Sequence, residues 1–182
     1  MGIPNLLTFL RIILIPVFIL LFYLPFRGSH VLAAIIFIFA AMTDWLDGYL
    51  ARSLGQVSKL GTFLDPVADK LIVVTALVLL VGDRVLPYLA IPAIVIICRE
   101  IMVSALREWM AEIGKRTRIA VTRIGKIKTT VQMLALILLL LYKPGAWFAL
   151  ALSGYLLLYL AALLTLWSMS LYLKAAWHDL SS

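Results

Sequence analysis

The sequence predicts an all-α integral membrane protein with six transmembrane helices in a single domain over residues 1–182. Hydrophobic residues make up 64% of the chain and charged residues 14%, with a mean hydropathy of +1.09. Globular proteins carry about a quarter charged residues, so most of this surface is not expected to face water. Apolar stretches of bilayer-crossing length recur along the chain. They must be helical, because unsatisfied backbone polar groups are too costly in hydrocarbon.

The six predicted spans are separated by segments with turn chemistry. "LPFRGSH" divides the first span from the second, "VGDRVLP" the third from the fourth, and "YKPGA" the fifth from the sixth. The first stretch lacks a basic segment before its apolar run and a small-residue cleavage site after it, so we expect a retained span rather than a signal peptide. The predicted spans cover residues 6–24, 31–50, 64–81, 86–109, 119–142 and 146–173.

The distribution of Lys and Arg predicts how the helices are oriented. Of the 16 basic residues, Arg27, Arg84 and Lys143 fall on one side, Arg99 and Arg107 lie within the fourth span, and the other eleven share the side of both termini. The positive-inside rule places that side in the cytoplasm. The net charge of +7 is then explained by the orientation of the helices and by an anionic partner that binds close to the membrane lipid. No nucleic acid partner is expected.

An acidic stretch, "DWLDGYLARSLGQVSKLGTFLDPVADK" at residues 44–70, holds four of the nine carboxylates between the second and third spans. Asp44 and Asp47 are three residues apart and Asp65 and Asp69 are four apart, so each pair shares one face of a helix. The Asp-Pro pair at 65–66 would also suit the start of a helix. If the third helix begins earlier, Gly61 joins the face of the second pair.

Four converging carboxylates would repel one another and require a cation. Without histidine or thiolate, such a cluster suits a hard divalent ion such as Mg²⁺ or Mn²⁺, and four aspartates could share two ions for phosphoryl displacement. The alternatives are a solvated loop and a cation transporter, which would need carboxylates near the membrane midplane. The neighbouring small residues would admit a bulky ligand or allow close helix packing; they are Gly48, Ala51 and Gly61.

The acidic stretch resembles the signature of the CDP-alcohol phosphatidyltransferases. All eight signature positions match, in the pattern Asp44-x2-Asp47-Gly48-x2-Ala51-Arg52-x8-Gly61-x3-Asp65-x3-Asp69. The resemblance implies that family's six-helix membrane fold and a usually dimeric enzyme. Such an enzyme transfers a phosphatidyl or related group from a CDP-linked donor to an alcohol and releases CMP.

The resemblance also implies roles for individual residues. The four aspartates would bind two Mg²⁺ or Mn²⁺ ions, with Asp69 also the general base. Arg52 would support the carboxylates or the donor phosphates. By position rather than by resemblance, one side of the first helix near the cytoplasmic surface would contact the donor headgroup or anchor the helix through Asn5, Thr8 and Arg11. The cytidine nucleotide of the donor would be lined by Gly48, Ala51 and Gly61.

Three further segments, "IPNLLTFLR", "REIMVSALREWMAE" and "GKIKTTVQM", are similar to the branch of that family whose acceptor is sn-glycerol 3-phosphate. The branch implies CDP-diacylglycerol as donor and phosphatidylglycerophosphate and CMP as products. It also implies a homodimer in the bacterial inner membrane, with the active site on the cytoplasmic side. Another acceptor, such as inositol phosphate, stays open because both acceptors carry a phosphate.

Basic residues of the fourth and fifth spans are candidates for binding the acceptor phosphate. The resemblance implies this role for Arg99, Arg107 and Lys126. Arg99 lies in an apolar span, where an unpaired cation is expensive, and a planar guanidinium can hold two phosphate oxygens. The alternatives are ordinary positive-inside charge and ion pairs with the neighbouring carboxylates, which are Glu100, Glu108 and Glu112.

Overall fold

A computed structural model describes the backbone at residues 3–26, 28–54, 59–83, 86, 88–113, 123–142 and 148–180. Side chains are described at residues 6–26, 28–43, 61, 64, 66–83, 86, 88–113, 127–142 and 148–174. Over these residues the chain forms six helices and no strand, which confirms the predicted all-α architecture. The helices are α1 (Ile3–Tyr23), α2 (Ser29–Leu54), α3 (Lys59–Gly82), α4 (Ala90–Glu112), α5 (Arg123–Leu141) and α6 (Phe148–Leu180).

The third helix begins before the acidic pair that it carries. It starts at Lys59, so the possible start at Asp65 is wrong, and Pro66 lies inside the helix. Continuing through a proline forfeits one backbone hydrogen bond, whereas starting there would deprive the preceding residues of all their helical bonds. Gly61 therefore belongs to the same helix as Asp65 and Asp69, as the alternative of an earlier start predicted.

The helices are divided between two compact units, of which the first comprises Met1–Asp83 with Leu140–Ala146. In this unit α1 packs against both α2 and α3. Phe18 of α1 and Phe37 of α2 are fully buried, with ring centroids 6.0 Å apart. Small residues of α2 are also fully buried and allow the helix backbones to approach closely; these are Ala33, Ala34 and Ala40.

The second unit comprises Arg84–Leu139 with Trp147–Ser182. Here α4 packs against α6, and the hydroxyl of Tyr159 donates a hydrogen bond of 2.9 Å to the carbonyl of Tyr88 just before α4. Tyr88, just before α4, contacts Tyr159 of α6, and Arg99, within α4, contacts Ser168 further along α6, so the two helices run in parallel.

Close packing between α5 and α6 depends on Gly154. A Cβ atom at this position would lie 2.8 Å from Cγ of Leu139, which is closer than side chains tolerate. We expect Gly154→Val to destabilise the protein by about 1–3 kcal/mol through overpacking. Thermal unfolding in detergent measures the effect. Gly82→Val is the control, because a Cβ there meets nothing within 4 Å; equal losses in the two variants would contradict the prediction.

Large apolar side chains are exposed on all six helices. Leu6 of α1 is 64% exposed, Ile91 of α4 62% and Leu163 of α6 64%. A water-soluble monomer rarely exposes large apolar patches, whereas a protein surrounded by lipid presents apolar side chains to that lipid. Judged by length and composition, two segments of the described helices, Leu6–Tyr23 and Phe148–Lys174, are sufficient to cross a bilayer.

Candidate active site

The predicted aspartate cluster lies on α2 and α3 of the first unit. Asp44 and Asp47 are within α2, and Asp65 and Asp69 are within α3, so both pairs have the helical backbone that their spacing requires. Of these four aspartates, Asp69 alone has a side chain among the described ones. The other predicted residues of this region whose side chains lie outside the described ones are Asp44, Asp47, Gly48, Ala51, Arg52 and Asp65.

The carboxylate of Asp69 is held by a buried arginine from α1. Nη1 of Arg11 donates a hydrogen bond to Oδ1 of Asp69 and forms an ion pair with it. The side chain of Arg11 is 1% exposed and that of Asp69 40%, so the arginine approaches from inside the unit. The contact pairs Arg11 with a predicted site residue. A cation within an apolar span is the sequence signal for such a partner.

Other residues that are predicted to bind the donor also lie in the first unit. Thr8 is buried on α1, three residues before Arg11 and therefore on the same side of that helix. Gly61 is buried on α3. Asn5 lies in α1 with its side chain outside the described residues.

One carboxylate of the predicted metal centre, that of Asp69, lies among the described side chains. Asp69 offers a partly exposed carboxylate, which is the oxygen ligand that Mg²⁺ and Mn²⁺ prefer. No group of three His, Cys, Asp or Glu residues occurs among the side chains that can be compared, since the other three aspartates are not among them. The chemistry of Asp69 therefore fits a divalent ion.

A buried polar cluster joins all three helices of the second unit. Glu100 of α4 accepts hydrogen bonds at one oxygen, Oε1, from Nη1 of Arg99 at 3.0 Å and from Nζ of Lys128 at 2.7 Å. Nη2 of Arg99 donates to Oγ of Ser168 on α6 at 2.6 Å. Arg99 and Lys128 are each 3% exposed. One carboxylate therefore fixes two basic side chains that are almost fully removed from solvent.

The aromatic ring of Tyr172 on α6 connects a third basic residue, Arg107, to this cluster. The guanidinium carbons of Arg99 and Arg107 lie 5.7 and 5.6 Å from the ring centroid. Within the described side chains the cluster holds three basic groups and one carboxylate, Glu100. Nε of Arg99 is buried and has no hydrogen-bond partner among them. Buried positive charge is costly unless paired, so the arrangement is suited to an incoming anion.

The structure thus brings two of the three predicted acceptor residues together, because Arg99 and Arg107 contact the same ring. Lys126 lies in α5 with its side chain outside the described residues, and Lys128 is the α5 lysine seen in the cluster. Sequence reasoning missed Ser168 and Tyr172, since the strongly apolar α6 obscured them. Their spacing of four residues, which places both on one face of a helix, was the available signal.

Comparison with known proteins decides the family. The model of the CDP-alcohol phosphatidyltransferase family matches residues 1–167. The chain belongs to this family. Its members are membrane enzymes that depend on divalent metal ions, in agreement with the exposed apolar helices and the carboxylate chemistry of Asp69.

Similar members of the CDP-alcohol phosphatidyltransferase family come from bacteria. A protein of Pseudomonas fluorescens is 57% identical over 100% of this chain and 93% of its own length. One of Pectobacterium atrosepticum is 54% identical over 98% and 97% of the two chains, and one of Yersinia enterocolitica 53% over 99% and 97%. Each is named CDP-diacylglycerol–glycerol-3-phosphate 3-phosphatidyltransferase.

Proposed function

We propose that this membrane enzyme is a phosphatidylglycerophosphate synthase, which transfers the phosphatidyl group of CDP-diacylglycerol to sn-glycerol 3-phosphate. The products are phosphatidylglycerophosphate and CMP. The observation that carries the proposal is the near full-length similarity to relatives named for this reaction. The basic cluster of the second unit agrees with it, because an acceptor that carries a phosphate needs fixed cations.

The acceptor phosphate is assigned to the basic residues of α4 and α5. Arg99 contributes guanidinium N–H groups, including the unpartnered Nε, and Arg107 adds a second guanidinium at the same ring. Lys126 is assigned to the same role as a nearby point charge. A phosphate monoester carries up to two negative charges, which basic groups outnumbering the carboxylate would balance. Serine has no phosphate and would leave these charges uncompensated.

The donor and the metal ions are assigned to the first unit. The four aspartates would hold two ions, Mg²⁺ or Mn²⁺, which when bound polarise phosphate oxygens and offset the charge of the departing CMP. Arg52 would support the carboxylates or the donor phosphates. The remaining contacts to CDP-diacylglycerol are assigned to Asn5, Thr8, Gly48, Ala51 and Gly61.

Asp69 is assigned as the general base of a direct displacement. Its carboxylate takes the proton of the 1-hydroxyl of sn-glycerol 3-phosphate, and that oxygen attacks the phosphorus that carries the diacylglycerol. The bond from this phosphorus to the CMP oxygen breaks as the new ester bond forms. Arg11 contributes by fixing the orientation of the Asp69 carboxylate, which must point at the reacting hydroxyl.

The same proposal includes a multi-pass topology in the bacterial inner membrane, with both termini and the active site facing the cytoplasm, and assembly as a homodimer. Exposed apolar side chains on every helix support the multi-pass arrangement. The excess of Lys and Arg on the side of the termini supports the orientation.

Acceptor choice is tested with purified protein, CDP-diacylglycerol, Mg²⁺ and a panel of alcohols, by measuring release of CMP. We expect rapid release with sn-glycerol 3-phosphate and little with serine, phosphatidylglycerol or inositol phosphate. Preferred use of inositol phosphate would support the alternative acceptor. No release with any of them would overturn the proposed activity.

Arg107 provides a milder test of the acceptor assignment, since its side chain is exposed. We expect Arg107→Ala to raise the KM for sn-glycerol 3-phosphate on the order of tenfold, because one charge-assisted hydrogen bond is lost. The KM for the donor should change little. Lys174→Ala removes an exposed cation from α6 and serves as control. An equal rise in both KM values of the Arg107 variant would assign this residue elsewhere.

A further inference from the structure

Tyr172 of α6 is in contact with two arginines that helix geometry alone would keep apart. Arg99 and Arg107 are eight residues apart on α4, which separates their Cα atoms by about 12 Å along the axis and about 80° around it. Both guanidinium groups nevertheless lie less than 6 Å from the Tyr172 centroid, at 5.7 and 5.6 Å. The ring itself is 5% exposed. It is therefore a common neighbour on which the two cations converge.

An aromatic ring is a suitable neighbour for two like charges. Its face carries negative electrostatic potential and attracts a guanidinium, more strongly where water is excluded. Arg99 is further fixed by Ser168, which lies one turn before Tyr172 on the same face of α6. Two guanidinium groups near each other repel, and the ring reduces that cost before any anion arrives.

We propose that Tyr172 is a positioning residue, which holds Arg99 and Arg107 in the arrangement that receives the acceptor phosphate. The proposal rests on the proposed function. The ring acts on the arginines rather than on the substrate, so its loss weakens acceptor binding because the cations must then be ordered when the anion binds. Donor binding and the chemical step are unaffected.

The test varies the electrostatics of the ring while keeping its shape. The full-length enzyme carries Phe, then progressively fluorinated phenylalanines, at position 172, because fluorine withdraws the negative charge from the ring face. We expect Tyr172→Phe to behave as the wild type and the acceptor KM to rise along the fluorinated series to on the order of tenfold. The kcat and the donor KM should stay constant. Trp167→Leu, on the exposed side of α6, is the control and should leave all three parameters unchanged.

Tyr172→Leu removes the ring altogether and should raise the acceptor KM at least as far. A flat response along the fluorinated series would overturn the proposal, and so would a Phe variant as impaired as the Leu variant, since that result would assign the effect to the hydroxyl. Calorimetric binding of inorganic phosphate gives a readout that does not require turnover. Wild-type protein that fails to use sn-glycerol 3-phosphate refutes the proposed function, whereas phosphate affinity that is constant along the series refutes the role of Tyr172.

Discussion

Replacing Asp69 by Asn is expected to abolish phosphatidyl transfer while leaving CDP-diacylglycerol binding largely intact. The amide has nearly the size of the carboxylate but accepts no proton at neutral pH. General base catalysis contributes about 10²–10⁴-fold to a rate, so we expect a loss of kcat of at least that order. The measurement pairs CMP release with equilibrium binding of the donor to the same purified variant.

Asp83 provides the matched control, because it lies just after the C-terminal end of α3 and no catalytic role is assigned to it. Asp83→Asn should retain transfer. Undiminished turnover by Asp69→Asn would remove Asp69 from the role of base. If Asp69→Asn loses both donor binding and turnover, this carboxylate has a purely metal-binding or structural role instead.

A variant of Arg11 tests whether the ion pair with Asp69 serves catalysis or only stabilises the fold. Arg11→Lys keeps a positive charge in the core of the first unit but cannot reproduce the fixed geometry of a guanidinium. If Arg11 orients Asp69, this variant should lower kcat while donor binding persists. If Arg11 merely anchors α1, the variant should lower thermal stability and leave the kcat of the folded fraction unchanged.

The six helices could be predicted from the sequence because apolar stretches of bilayer-crossing length leave few structural alternatives. Their ends were harder to predict, as α3 shows: the Asp-Pro pair at 65–66 has the chemistry of a helix start, yet the helix begins at Lys59. Local preference for a cap was outweighed by hydrogen bonds that a continuing helix gives to the residues before it. Such competition cannot be decided from a single segment.

The candidate site was predictable to the extent that charge in an apolar context is informative. The acidic spacing in α2 and α3 and the isolated Arg99 are signals of this kind. The partners of these residues were not predictable, because Arg11 meets Asp69 from 58 positions away and Arg99 meets Ser168 from 69 positions away. The four-residue spacing of Ser168 and Tyr172 places both on one face of α6, but the sequence alone does not indicate whether that face meets lipid or a guanidinium.

Arg99→Ala is expected to have the largest effect on acceptor use. Its guanidinium is 3% exposed, is fixed by Glu100 and Ser168, and retains a buried Nε without a partner among the described residues. Two charge-assisted hydrogen bonds to a phosphate are worth about 3–6 kcal/mol together, which corresponds to at least about a hundredfold loss of kcat/KM for sn-glycerol 3-phosphate. The KM for CDP-diacylglycerol should change little.

Two further variants separate binding of the phosphate from packing of the cluster. Arg99→Lys keeps the charge but has no Nε and no planar pair of donors, so we expect it to recover only a small part of the lost activity. Ser168→Ala removes one hydrogen bond that fixes Arg99 and should therefore cause an intermediate rise in the acceptor KM. Full activity of Arg99→Lys, or equal increases in the donor and acceptor KM values of Arg99→Ala, would show that Arg99 maintains the helix packing instead of binding the acceptor.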